Sequence, residues 1–155
     1  MVVHVELPPT WHAVGLDDEG STELSAFRRP RGGDEFTPNL TMVTRRSPAS
    51  VPVTALANRA LGHTARTNLR IAVFNNREWG NGPTAMVLRG FHALTLPSSG
   101  GPEQALVQFQ LHAGLPAEQD GWHDVAQLVL HCADHQRELV EAEFATIVQS
   151  LTVDS

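Results

Sequence analysis

Apolar and polar positions alternate through Ala105–His112, where Val107, Phe109 and Leu111 are separated by Gln108, Gln110 and His112. That period of two belongs to a strand with one buried face. The stretch Trp122–Ala133 answers it, with Ala126, Leu128, Leu130 and Cys132 on an apolar face and Val125, Gln127, Val129 and His131 on a mixed one. The period then lengthens. Val140, Phe144, Ile147, Val148 and Leu151 recur at helical spacing, Arg137, Glu138 and Glu141 lie opposite, and Asp134 stands where an N-cap belongs. These patterns predict a hairpin with a terminal helix laid on the face of Phe109, Leu111, Leu128 and Leu130. Burial of Phe144 and Ile147 there is expected to contribute about 1.5 to 3 kcal/mol for each side chain.

The same reading orders the rest of the chain. Val2–Leu7 predicts a strand stopped by Pro8-Pro9, and Trp11 begins another apolar patch. The acidic run Asp17-Asp18-Glu19 reads as a solvated turn. Leu24–Arg29 predicts a strand ended by Pro30, with Leu40–Arg46 returning beyond a hairpin tip at Gly32-Gly33-Asp34. Pro48 to Pro52 break that strand, and the alanine-rich segment from Val53 to about Arg66 predicts a helix weakened near its end by Gly62. Asn68–Asn75 and Ala85–Leu96 are further strands, with turns at Asn81-Gly82 and Ser98-Ser99-Gly100-Gly101. The expected fold is α+β, a single domain over residues 1–155. A twisted antiparallel sheet of about six to seven strands is flanked by two helices, the longer one C-terminal.

Composition narrows the classes of function. The chain has 155 residues and a net charge of −6, with eleven arginines and no lysine. A negative balance of that size argues against nonspecific nucleic-acid binding. Cys132 is the single cysteine, so no internal disulfide forms, and its apolar strand face suits a small buried hydrophobe. No segment approaches the ~18 apolar residues of a membrane span, and Met1–Pro9 lacks the pattern of a signal peptide. The expected location is the cytoplasm, or the cell envelope if a leader has been removed.

Candidate chemistry is sparse. His131-Cys132-Ala133-Asp134-His135 has zinc-like residue types, but alternation sends His131 and Cys132 to opposite faces, so no metal or cofactor is expected. Ser98-Ser99-Gly100-Gly101 lacks the strand–turn–helix setting of an exposed nucleophile, and phosphate-loop glycine patterns are missing. No catalytic residue is assigned. A binding reading has more to work with. If Phe109 pairs with Ala126, His112 falls opposite His123 and Gln108 opposite Gln127, giving a polar row of Gln108, Gln110, His112, His123 and Gln127 on the face away from the terminal helix. The His pair suits a metal or an anion, or is simply solvated. Arg28, with Arg29 and Arg31, and Arg45 with Arg46 offer guanidinium forks to an anionic partner, unless Glu19, Glu23, Asp34 and Glu35 neutralise them. Trp79, beside a turn, is either an exposed anchor or a cap on the core.

Leu7-Pro8-Pro9-Thr10-Trp11, Ala26-Phe27-Arg28-Arg29-Pro30 and Phe36-Thr37-Pro38-Asn39-Leu40-Thr41, followed by helix, meander and terminal helix, resemble the LpqN lipoprotein family of actinobacteria. More broadly the layout is similar to the PsbP-like fold. The resemblance implies a twisted sheet flanked by helices in envelope or accessory proteins that bind partners and have no established catalytic residues. Lipoprotein members carry a lipid-modified cysteine after a leader. Here the only cysteine is Cys132, so anchoring does not carry over. The function expected is a noncatalytic accessory domain that holds a protein or peptide partner on its exposed sheet face and turn residues. The alternatives are a small-ligand carrier or enzyme with a pocket between the sheet and the C-terminal helix, and a homodimer through an edge strand or the mixed face.

Overall fold

The structure, a computed structural model, describes residues 2–14, 24–30, 32, 36–96, 100–116 and 119–154. The acidic run at 17–19, the tip residues Gly33 and Asp34, and Ser98-Ser99 lie outside the described residues, as do Glu23, Arg31 and Glu35. In chain order the strands are β1 (Val2–His4), β2 (Trp11–Val14), β3 (Leu24–Arg28), β4 (Asn39–Pro48) and, after helix α1 (Val53–Thr67), β5 (Arg70–Trp79). Then follow β6 (Met86–Thr95), β7 (Gln104–Gly114), β8 (Trp122–Ala133), helix α2 (Arg137–Gln149) and β9 (Thr152–Asp154). Among the described residues, seven strands form one antiparallel sheet in the order β2-β3-β4-β8-β7-β6-β5, while β1 pairs with β9. Counted with the 3-10 turn at Asp134–Gln136, the C-terminal helical segment is slightly longer than α1.

The sheet has two covered faces, and they differ in chemistry. On one, Leu40 and Met42 of β4, Phe109 and Leu111 of β7, and Leu128 and Leu130 of β8 are buried with Val140, Phe144 and Ile147 of α2. The Phe109 and Phe144 rings lie 5.8 Å apart, closing the core there as the helical period predicts. Gly90 of β6 is part of this packing. A Cβ on it would sit 2.8 Å from the Phe74 ring and 2.9 Å from Phe109, so only glycine admits both rings.

α1 crosses the other face. Pro52, extended at φ −68°, feeds the helix, which runs through Gly62 to Thr67. Val53 and Ala57 bury against Val87 and Val125 in a second, smaller apolar cluster. Beside it lies a polar layer. Gln110 Nε2 donates to Thr64 Oγ1 at 3.1 Å and to Gln108 Oε1 at 3.3 Å, and Gln108 Nε2 lies 2.7 Å from His131 Nε2. Arg89 Nη2 donates to Asn58 Oδ1 at 2.6 Å.

Three expectations are corrected. The β7–β8 register pairs Phe109 with Leu130 and His112 with Gln127, so His112 is not opposite His123 and Gln108 faces His131 rather than Gln127. The reason lies in the connection. Leu115 continues the ladder by donating to Asp124 O at 2.9 Å, and Gly121, at φ +83°, takes the turn later than expected. The shift is even, so the buried and polar faces keep their identities. Second, the polar row is not an open surface: Gln108, Gln110, His112 and His123 are buried and Gln127 is half-buried, because α1 and the turn after β5 cover them. Third, Asp134 does not cap α2; its Oδ1 meets His92 Nε2 at 2.8 Å, while Gln136 bridges Ala133 N and Phe36 O. The strands at Trp11 and Thr152 are too short to show a period.

Candidate functional site

The arginines separate by strand and partner. Arg28, on β3, is only 4% exposed. Its Nε donates to Glu143 Oε2 at 3.0 Å and its Nη2 to Glu143 Oε1 at 3.1 Å, a two-pronged pair across to α2. Trp11 Nε1 and Thr10 Oγ1 donate to the same carboxylate at 2.6 and 3.1 Å. With its fork filled from within, Arg28 serves the fold, and the anionic-partner reading of this residue is withdrawn. Arg46 meets Asp124, Nε to Oδ1, at 3.0 Å.

Arg46, the next residue on β4 after Arg45, alternates to the other face with Asp124, whereas Arg45, His112 and Gln127 converge. β4, β8 and β7 are neighbours, and they bring these side chains to one cleft of about 350 Å³ closed over by Leu56, Arg59 and Ala60 of α1. His112 is 5% exposed at its base. Burial, and after it the Arg89 guanidinium, push this imidazole down to about 4, so it is neutral at pH 7. His123 lies elsewhere, against a hollow lined by Pro52, Trp79, Asn81 and Pro83, and both its ring nitrogens are buried without a hydrogen-bond partner among the described residues. The two histidines therefore do not form a joint site.

Trp79 belongs to a different feature. β5 is an edge strand, paired only with β6 among the described residues. Its Asn75, Arg77 and Trp79 alternate along one side of a groove of about 300 Å³, and Glu141, Phe144, Ala145, Val148 and Gln149 of α2 form the other. Leu88 and Phe109 form the floor. Trp79 is 38% exposed, with the Arg77 guanidinium carbon 5.9 Å from its ring centre. A register shift between Val73 and Asn75 marks a bulge, beyond which Asn75–Trp79 pairs regularly with Met86–Gly90. Sequence reasoning found Trp79 but missed its neighbours. β5 is exposed along most of its length, so it lacks the alternation that marks a half-buried strand, and Val148 and Phe144 read simply as core.

Nucleophilic chemistry has no support at Cys132. It is fully buried on the α2 face, opposite His131, and burial first, then the Asp134 carboxylate, pushes its thiol up to about 12. No helix among the described residues is long and apolar enough to cross a membrane.

No protein-family model and no curated protein matches the sequence. Solved structures do match its shape. LpqN of Mycobacterium tuberculosis, involved in cell envelope biogenesis, superposes with a TM-score of 0.67 at 10% identity, covering 99% of this chain and 83% of LpqN. The Ran-binding protein Mog1p of Saccharomyces cerevisiae gives 0.62 at 10% identity, over 98% and 90% of the two chains. The cyanobacterial PsbP of Synechocystis sp. PCC 6803 gives 0.57 at 12% identity, over 98% and 86%. The order of strands, the helix across one face and the terminal helix across the other are thus those of the PsbP/Mog1-like fold, with LpqN among the structures this chain resembles.

Proposed function

We propose that this chain is a noncatalytic accessory domain that holds an extended segment of a partner protein along β5, in the groove between β5 and α2. The observation that carries the reading is the pairing of a regular edge, Asn75–Trp79, with an apolar groove beneath it. The unpaired backbone of an edge strand offers hydrogen bonds to an added strand, and alternate side chains of that strand would enter the groove. Trp79 supplies a rigid, amphipathic anchor of the kind that dominates binding energy at protein interfaces. The Ran-binding activity of Mog1p and the part of LpqN in envelope biogenesis support an accessory role, in or near the cell envelope, over a catalytic one. A second copy of the chain, pairing β5 to β5, is one form the partner takes in this reading.

The test uses the whole chain to capture partners from its native cell, with Trp79→Ala and Val148→Glu as comparisons. The expected result is a partner whose retention falls at least tenfold in both variants, with the backbone amides of Asn75–Trp79 gaining protection from hydrogen exchange in the complex. Equal retention by the variants, or unchanged exchange along β5, would overturn the reading. A small apolar ligand is the second reading, favoured by Leu88, Phe109 and Phe144 on the groove walls, whose volume reaches the lower end of ligand pockets, about 300 Å³. Displacement of a fluorescent apolar probe without any protein partner would select it.

A further inference from the structure

We propose that the cleft between α1 and the β4–β8–β7 face is an anion site that takes a small organic acid, through a carboxylate or phosphoryl group. It lies on the opposite face of the sheet from the β5–α2 groove and requires no protein partner.

The first observation is charge. Three arginines, Arg45, Arg46 and Arg59, line the cleft, and among the described residues no carboxylate does. Arg46 is held by Asp124. Arg45 on β4 and Arg59 on α1 are exposed, and neither makes an ion pair or side-chain hydrogen bond among the described residues. Two arginines without an ion-pair partner among the described residues, one on β4 and one on α1, line the same cleft on a chain whose net charge is −6. An oxyanion in the cleft would be within reach of both positive charges.

The second observation is His112. Its imidazole is buried at the base of the cleft, yet no hydrogen bond to it is found among the described residues. Its ring nitrogens are not among the fully buried atoms that lack a partner, and a polar group that borders a cavity is positioned to bond whatever fills it. As a neutral ring it donates through one nitrogen, so it adds a directed hydrogen bond to the two charges above it. Half-buried Gln127, opposite His112 in register, supplies a side-chain amide beside it. Leu56, Ala60 and Val125 enclose the rest, so the ligand has an apolar portion to match. A volume of about 350 Å³ suits a small metabolite.

Shape is consistent with how each residue arrives. Arg45 pairs with Val125, and Val125 with Gly114, while Gln127 pairs with His112, so the floor is set by ladder register alone. Leu56, Arg59 and Ala60 share one side of α1 at helical spacing and form the lid.

The experiment titrates the whole chain with inorganic phosphate and separately with succinate, at constant ionic strength held with chloride, and follows backbone amide shifts by NMR. The expected result is saturable binding of at least one probe, with shifts concentrated at 45–47, 56–60, 112 and 125–127. Preference between the probes assigns the phosphoryl or the carboxylate form. Arg45→Gln combined with Arg59→Gln is expected to weaken binding at least tenfold, and the lysine replacements at the same positions to restore part of it. Both arginines are exposed, so folding should survive; a melting temperature within a few degrees of the parent checks this, and single Arg59→Gln on the helix surface provides the readout if the double variant is less stable. Absence of saturation by both probes, or undiminished binding by the glutamine variants, would overturn the proposal.

Discussion

The imidazole of His112 has an ordinary pKa of 6.5 in the unfolded chain and is pushed to about 4 in the folded one, by burial and then by Arg89. Between those two values the unfolded chain binds a proton that the folded one refuses. Stability linked to this residue is therefore complete above pH 6.5, declines as pH falls through the window, and is lost by about pH 4. The shift corresponds to about 3 kcal/mol. Urea unfolding at pH 7 and at pH 4.5 should show a smaller acid loss for His112→Gln than for the parent. Equal slopes would mean that the ring is hydrated in the folded protein. His131, also buried and lowered, shares the same direction and leaves a residual slope in the variant. The sequence placed both rings on the correct side of the sheet, because alternation fixes the side. It could not show that the side was covered.

Between elements, Arg28 and Glu143 clasp β3 to α2. Burial works against the charge on Glu143, but hydrogen bonds from Arg28 and Trp11, the Arg28 charge and Thr10 outweigh it and hold the carboxyl below its ordinary 4.5. With side chains only 5% and 14% exposed, removing one partner strands the other. Arg28→Ala should destabilise the protein by about 3 to 5 kcal/mol in urea unfolding. Arg28→Met combined with Glu143→Leu should recover only part of that, because Trp11 Nε1 then loses its acceptor. A loss below about 1 kcal/mol for the single variant would place the pair with ordinary surface bridges. The elements themselves were readable from period: β7, β8 and α2 lie where alternation and helical spacing put them. Their mutual partners were not. Glu143 stands 115 positions from Arg28, whereas the sequence suggested neutralisation by nearby Glu19, Glu23, Asp34 and Glu35. Short strands such as β2 and β9 carry too few positions for a pattern. The register of β7 on β8 depended on a connection whose turn position the sequence left open.

Over the whole molecule, one sheet separates two kinds of interface. Sequence reasoning found the apolar one, since Phe109, Leu128 and Phe144 announce it, and took the polar face for a solvent-facing surface. Glutamine and histidine look the same in a sequence whether they meet water or each other. The bond of Gln110 to Thr64 and that of Arg89 to Asn58 tie α1 to the sheet. Yet Gln110 Oε1 and Arg89 Nη1 remain buried without a partner among the described residues. Water can stand in for each of those contacts, and it cannot stand in for Phe144 against Phe109. The two helices should therefore open at different free energies. Native-state hydrogen exchange should find the amides of residues 58–66 released by a local opening well below the global unfolding energy, while those of 140–147 wait for global unfolding. Equal protection of both helices would refute this. With the lower protection of α1, the polar layer would act as a hydration latch, letting α1 lift and resettle while the hydrophobic side of the protein stays folded.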